Sequence, residues 1–118
     1  MNKIVFYLWR MGVTKTQVFT DRQNRIADLA KALAHPARVA IIQHLLKVNS
    51  CVCGDLVEVL PLSQATVSQH LKELKQIGII HGEINPPRVC YCINETVWQE
   101  AKAIFGDLFE TMVAAKCC

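Results

Sequence analysis

The segment from Asp55 to Gly78, "DLVEVLPLSQATVSQHLKELKQIG", restricts the fold of this chain more than any other. Ser63 is a good N-cap, because its hydroxyl can accept a hydrogen bond from a free N–H of the following helical turn. Behind it Val67, Leu71, Leu74 and Ile77 recur at i, i+4, i+7 and i+10, which places them on one helix face. Gly78 stops the helix, since glycine takes the left-handed C-terminal conformation at least cost. Upstream, Asp55 can cap a short helix over "DLVEVL", and Pro61-Leu62-Ser63 is a tight turn. Two helices joined by such a turn form a helix-turn-helix.

The flanking segments say what surrounds it. "TDRQNRIADLAKALA" predicts a helix capped by Thr20 or Asp21, with Ile26, Leu29, Ala30 and Leu33 at helical spacing. It stops at His35, because the residue before a proline is pushed out of the α region. Pro36 suits the first position of the next helix, "PARVAIIQHLLKV", whose apolar stripe is Ile41, Ile42, Leu45 and Leu46. Asn49 and Ser50 break that helix, and "CVC" reads as a short strand. "IIHGEI" and "RVCYCI", on either side of "NPP", predict a hairpin. A last helix carries Val97, Trp98, Ala101, Ile104, Phe105, Leu108, Phe109, Met112 and Val113, a wider apolar face than a small domain needs for itself.

The order helix, helix, strand, helix, helix, hairpin, helix predicts a mainly α fold with a small β-hairpin: a winged helix-turn-helix over residues 20–118. The terminal helices are expected to form a homodimer. Residues 1–19 are read as an N-terminal extension, of which 1–10 precede a second methionine and are read as non-native or an upstream start. The apolar run Ile4–Trp9 is closed by Arg10 and is too short for a secretory or membrane segment, so the expected location is the cytoplasm, without a membrane partner. Six cysteines in such a chain point to reduced thiols rather than a disulfide framework.

Bulk charge does not argue for nucleic acid. The net charge is +3, but Lys3, Arg10 and Lys15 supply all of it, and the rest of the chain is balanced. Local placement carries the argument. Opposite the apolar face of the second helix lie Gln64, Ala65, Ser68, Gln69 and Lys72. Amides suit adenine edges, small side chains suit thymine methyls, and lysine suits phosphate. Thr66 and His70 are candidates for backbone contacts, and Arg88 sits where a wing would meet phosphate or the minor groove. A solvated polar face would look similar, but its place between a short helix and a hairpin favours double-stranded operator DNA.

"HPARVAIIQHLL", "SQATVSQHLKELKQIGII" and "RVCYCI" together resemble the ArsR/SmtB metalloregulatory repressors over roughly residues 20–115. The pair Cys51 and Cys53 narrows the resemblance to the arsenic-sensing branch. That branch often carries "CVCDLC"; here "CVCGDLV" has an inserted glycine, with Val57 where a third cysteine would stand. The zinc-sensing branch uses acidic and histidine ligands on the last helix, and this last helix has no histidine. No cysteine precedes Cys51, so the branch with N-terminal cysteines is not matched either.

Strand alternation places the thiols. In "CVC" the two cysteines point opposite to Val52, and in "VCYCI" Cys90 and Cys92 point opposite to Val89, Tyr91 and Ile93. In winged helices the short strand usually pairs with the second wing strand. Cys51, Cys53, Cys90 and Cys92 are then expected on one accessible face, with cross-strand Cβ atoms roughly 4.5–5.5 Å apart. Soft thiolates select soft ions: three for As(III) or Sb(III), four for zinc or cadmium. The third ligand is expected from Cys90 or Cys92, with Cys117 and Cys118 as the alternative.

The expected function is release from the operator on binding As(III) or Sb(III), without an organic cofactor; a thiol-redox or Zn/Cd response is the alternative. An arsenate reductase would want an arginine six residues after a cysteine, and Val57, Val59, Thr96 and Trp98 stand there instead. There is no C-x-x-C, and no catalytic residue is assigned.

Overall fold

A computed structural model describes residues 18–54, 60–84 and 87–111. The expected helix after Gly54 falls on residues 55–59 and lies outside them, as do residues 1–17, Asn85, Pro86, Met112, Val113, Cys117 and Cys118. In chain order the described elements are α1 (Asp21–Lys31), α2 (Pro36–Val48), β1 (Val52–Cys53), α3 (Gln64–Ile77), β2 (Ile80–Glu83), β3 (Cys90–Ile93) and α4 (Glu95–Glu110). The helices and a three-stranded antiparallel sheet make a winged helix, as expected.

Each helix begins where its cap chemistry allows. The Thr20 hydroxyl accepts from the Gln23 amide at 3.1 Å and the Gln23 side chain accepts from the Thr20 amide at 3.0 Å, a capping box. α1 ends at Lys31, earlier than its periodicity suggests. The amides of Ala32, Leu33 and Ala34 donate three residues back, to Leu29, Ala30 and Lys31. The chain tightens there because His35, before Pro36, is extended (φ −143°, ψ 136°). Nδ1 of His35 then caps α2, accepting from Ala37 at 3.0 Å. Ser63 caps α3 by accepting from Thr66, and Gly78 closes it at φ 97°, donating to Leu74 and Lys75.

The sheet order is β1-β3-β2, with the second wing strand in the centre. Val52 faces Tyr91 and Cys53 faces Cys90; on the other side His81 faces Cys92, Gly82 faces Tyr91 and Glu83 faces Cys90. Gly82 has φ +127°, and a Cβ there would meet the Cys90 carbonyl oxygen and lie 2.8 Å from Cα of Tyr91. Only glycine fits at that crossing.

The core lies between the helices and the inner face of the sheet. Leu29 of α1, Ile41, Ile42 and Leu45 of α2, Val67, Leu71 and Leu74 of α3, Ile80 and Tyr91 of the sheet, and Ala101 and Ile104 of α4 are buried. Leu46, expected in the α2 stripe, is exposed, because the stripe narrows to Ile41, Ile42 and Leu45 where α2 meets α3 and β3. Arg25 grips both carboxylate oxygens of Glu100 at 2.9 and 2.6 Å, and Arg22 reaches Asp107 at 3.0 Å, so α4 is held against α1. Toward its end α4 runs out of core: Leu108 is 48% and Phe109 77% exposed, and Val18, Phe19 and Leu33 are exposed as well.

Candidate nucleic-acid interface and thiol site

On α3 the burial of Val67, Leu71 and Leu74 turns the other side of the helix outward. Gln64, Ala65, Thr66, Gln69 and Lys72 are exposed there, with Ser68 half-buried. Thr66 is committed at its amide to the Ser63 cap, and its hydroxyl lies 2.9 Å from that of Ser63. The Gln69 amide donates to Glu73 at 3.3 Å. Arg88 is exposed beside the wing and lines a cavity of about 630 Å³ together with Gln64 and Ser68. Wing and α3 thus flank one shared cavity, whose lining also includes Val67, Leu71, Ile84 and Val89.

His70 does not belong to that surface. It is 9% exposed, its ring centroid 4.5 Å from that of His35, and its Nδ1 accepts from Nε of Arg38 at 3.3 Å. At i+3 from Val67 it shares the inward face, and the expectation of a DNA contact is corrected on that ground. Arg38 also pairs with Glu73 and donates to the Lys31 carbonyl at 2.5 Å. One guanidinium therefore fastens α1, α2 and α3 together. Sequence reasoning missed this cluster because its members lie on three helices and become neighbours only on packing.

Burial, then the neighbouring His35 ring and the positive charge of Arg38, hold the His70 imidazole below its ordinary pKa, with Glu73 opposing. The folded state therefore resists a proton that the unfolded chain accepts. The stability this confers is present above the unfolded pKa of about 6.5 and is lost as pH falls through and below it. Denaturant midpoints at pH 7.5 and 5.5 are expected to differ more for the natural chain than for His70→Gln. Equal losses would refute the assignment.

The thiols behave as the alternation requires. Val52 packs against the core and Tyr91 is buried, while Cys51 and Cys53 are exposed and Cys90 and Cys92 half-buried on the opposite face. Cys51 is joined to Cys92 and Cys53 to Cys90, with Cα atoms 4.3 and 4.0 Å apart. That is the close spacing of pairs not bridged by backbone hydrogen bonds, where cross-strand side chains meet. The expectation of four reduced thiols is thus corrected for this structure. The same register that gathers the four thiols also joins them in pairs. Among the described residues no group of three or more His, Cys, Asp or Glu side chains is arranged to hold a metal.

Two further residues share the thiol face. His81 is opposite Cys92 and Glu83 opposite Cys90, so each cysteine pair continues into a polar residue of β2. The alternation Ile80, His81, Gly82, Glu83 carried this signal, but which thiol each would face depended on register.

The profile of a bacterial regulatory protein family, arsR, matches residues 35–81, from the α2 cap through the reader helix into the wing. The chain is 44% identical over 64 residues to the HTH-type transcriptional repressor SmtB of Mycobacterium tuberculosis, covering 54% of this chain and 47% of that protein. It therefore spans about half the length of that relative. Over 75 residues it is 35% identical to the HTH-type transcriptional regulator YgaV of Escherichia coli K12, covering 63% of this chain and 76% of that one. Over 93 residues it is 31% identical to the HTH-type transcriptional regulator CmtR of Mycobacterium bovis, covering 79% and 75%. Among solved structures, HlyU from Vibrio cholerae superposes with a TM-score of 0.59 at 30% identity, covering 76% of this chain and 94% of that one. No helix of the described residues is long and apolar enough to cross a membrane.

Proposed function

This chain belongs to the arsR family of bacterial regulatory proteins, and from that premise we propose that it is a homodimeric repressor released from its operator by As(III) or Sb(III). The observation that carries the reading is the register of β1 on β3, which gathers Cys51, Cys53, Cys90 and Cys92 on one accessible face. As(III) supplies a soft, three-coordinate centre that thiolates complete. A dithiol reductant first opens both cystines; three of the four freed thiols then serve as ligands. Since successive same-face residues on a strand are about 7 Å apart, one row supplies two ligands and the other the third. Drawing them together shifts β1 against the wing. β1 leads into the helix-turn-helix and β3 is part of the wing, so the shift moves the two DNA-reading parts relative to each other.

Exposed Leu108 and Phe109 on α4, together with exposed Val18, Phe19 and Leu33 flanking α1, support dimerisation through the terminal elements. Two reader helices then address half-sites about 34 Å apart. Phe109→Glu is expected to shift the chain toward monomer in sedimentation and to weaken operator binding by at least about tenfold, the equivalent of about 1.4 kcal/mol. An unchanged sedimentation coefficient would reject this interface. The test of the function is an operator titration by fluorescence anisotropy, with and without As(III), on the reduced protein at fixed salt.

A second reading, a thiol-redox repressor, is favoured by one observation: the cysteines stand in bonded cross-strand pairs. Each pair forms when hydrogen peroxide takes two electrons and two protons from two thiols and leaves as two waters. Operator release by peroxide in metal-free buffer, with As(III) inert, would select this reading over the first.

A further inference from the structure

The guanidinium of Arg38 holds α3 by two of its residues, one helical turn apart. Nε donates to Nδ1 of His70 at 3.3 Å, and Nη2 pairs with Oε2 of Glu73. Its remaining nitrogen donates to the Lys31 carbonyl at the end of α1. The other carboxylate oxygen of Glu73 accepts from the Gln69 amide at 3.3 Å. A line of polar contacts therefore runs from α1 through Arg38 and Glu73 to a residue assigned to the DNA.

This arrangement holds only while Nδ1 of His70 carries no proton. A neutral imidazole has one acceptor nitrogen, so with Nδ1 accepting, the ring proton belongs on Nε2. A second proton must enter at Nδ1, where it turns the acceptor into a donor aimed at the Arg38 N–H and sets two cations side by side. The surrounding groups are already engaged. The His35 ring lies 4.5 Å away, centroid to centroid, and its Nδ1 is taken up capping α2 at Ala37. Glu73 holds Arg38 and Gln69. On α1, Arg25 is paired with Glu100 and Lys31 with Asp28. His81 and Glu83 of β2 are exposed.

We propose that His70 and Arg38 form a proton-sensitive latch on α3: a proton on Nδ1 of His70 expels the Arg38 guanidinium, loosens α3 from α1 and α2, and releases operator DNA. The latch rests on the repressor reading but uses none of the cysteines, so acid and metalloid are separate inputs. Its sign follows from the groups around the ring. Burial, then His35 and Arg38, disfavour the protonated imidazole, so the closed latch resists the proton that the open one accepts. Operator affinity is full above about pH 6.5, the ordinary histidine value, and is lost as pH falls through and below it. Protonation of the exposed His81 works the other way, since added positive charge strengthens attraction to phosphate.

The test is titration of the full reduced chain with the same labelled operator duplex at pH 7.5 and 5.5, at fixed salt and without As(III). Affinity is expected to fall by about three- to tenfold, tenfold being near the limit for one proton on a group of ordinary pKa about 6.5. His70→Gln keeps an acceptor that does not titrate, and its affinity should stay level or rise on acidification. A native chain whose affinity is unchanged or rises in acid would overturn the latch, and so would an equal fall in His70→Gln. Nuclear magnetic resonance of the ¹⁵N-histidine-labelled native chain decides the matter even if that variant fails to fold. Because proton and operator oppose each other reciprocally, the His70 titration midpoint must be lower in the operator complex than in the free chain. A midpoint that operator leaves unchanged or raises would overturn the proposal. Release by As(III) with no acid response would refute the latch alone; no operator binding at pH 7.5 would overturn the repressor reading and the latch with it.

Discussion

Saturating the reduced protein with As(III) is expected to weaken operator binding by about 10⁴-fold, the change that moves a repressor from mostly bound to mostly free. That corresponds to roughly 5.5 kcal/mol of differential affinity between the two conformations. The demand is met only if the ligand set spans both rows, since two thiols of one row already face each other with Cα atoms 4.3 or 4.0 Å apart and would bind without moving a strand. The Cys51→Ser/Cys53→Ser variant should therefore bind operator and ignore As(III). Salt must be held constant, because lysine and arginine contacts to phosphate make affinity fall steeply with ionic strength. Unchanged anisotropy curves on adding As(III) to the reduced natural chain would sink the proposal.

Gly82→Ala is expected to cost about 2–3 kcal/mol, because it adds a Cβ at a backbone conformation that L-residues avoid. The added carbon would also press on the Cys90 carbonyl and on Cα of Tyr91. β2 must then lift from β3. A fall in melting temperature on the order of 10 °C follows for a chain of this size. The lesion is local to the wing, so α1, α2 and α4 keep their packing. A melting temperature within about 2 °C of the natural chain would show that the crossing is looser than it stands here.

Much of the architecture was legible because its signals are local. The capping box of Thr20 and Gln23 follows from a short stretch of chain, and so do Pro36 opening α2, the Ser63 cap and the Gly78 stop. The readings that changed were those that neighbours overrule. α1 closed early ahead of the extended His35, and Leu46 fell outside a core already filled by Ile41, Ile42 and Leu45. His70 looked like one more polar residue of a reader helix. It turned inward because Arg38 and His35, arriving from α2, made a buried polar niche for it.

The thiols divide the same way. Period-two alternation alone put Cys51, Cys53, Cys90 and Cys92 on the face opposite Val52 and Tyr91, because a strand with one buried face leaves no other choice. Which cysteine meets which, and that His81 rather than Glu83 stands beside Cys92, was settled by strand pairing between residues 41 and 37 positions apart. A one-residue slip would change every partner without changing a letter of the sequence. Register is set by the packing of Tyr91 and the crossing at Gly82, and those contacts exist only once the chain has folded.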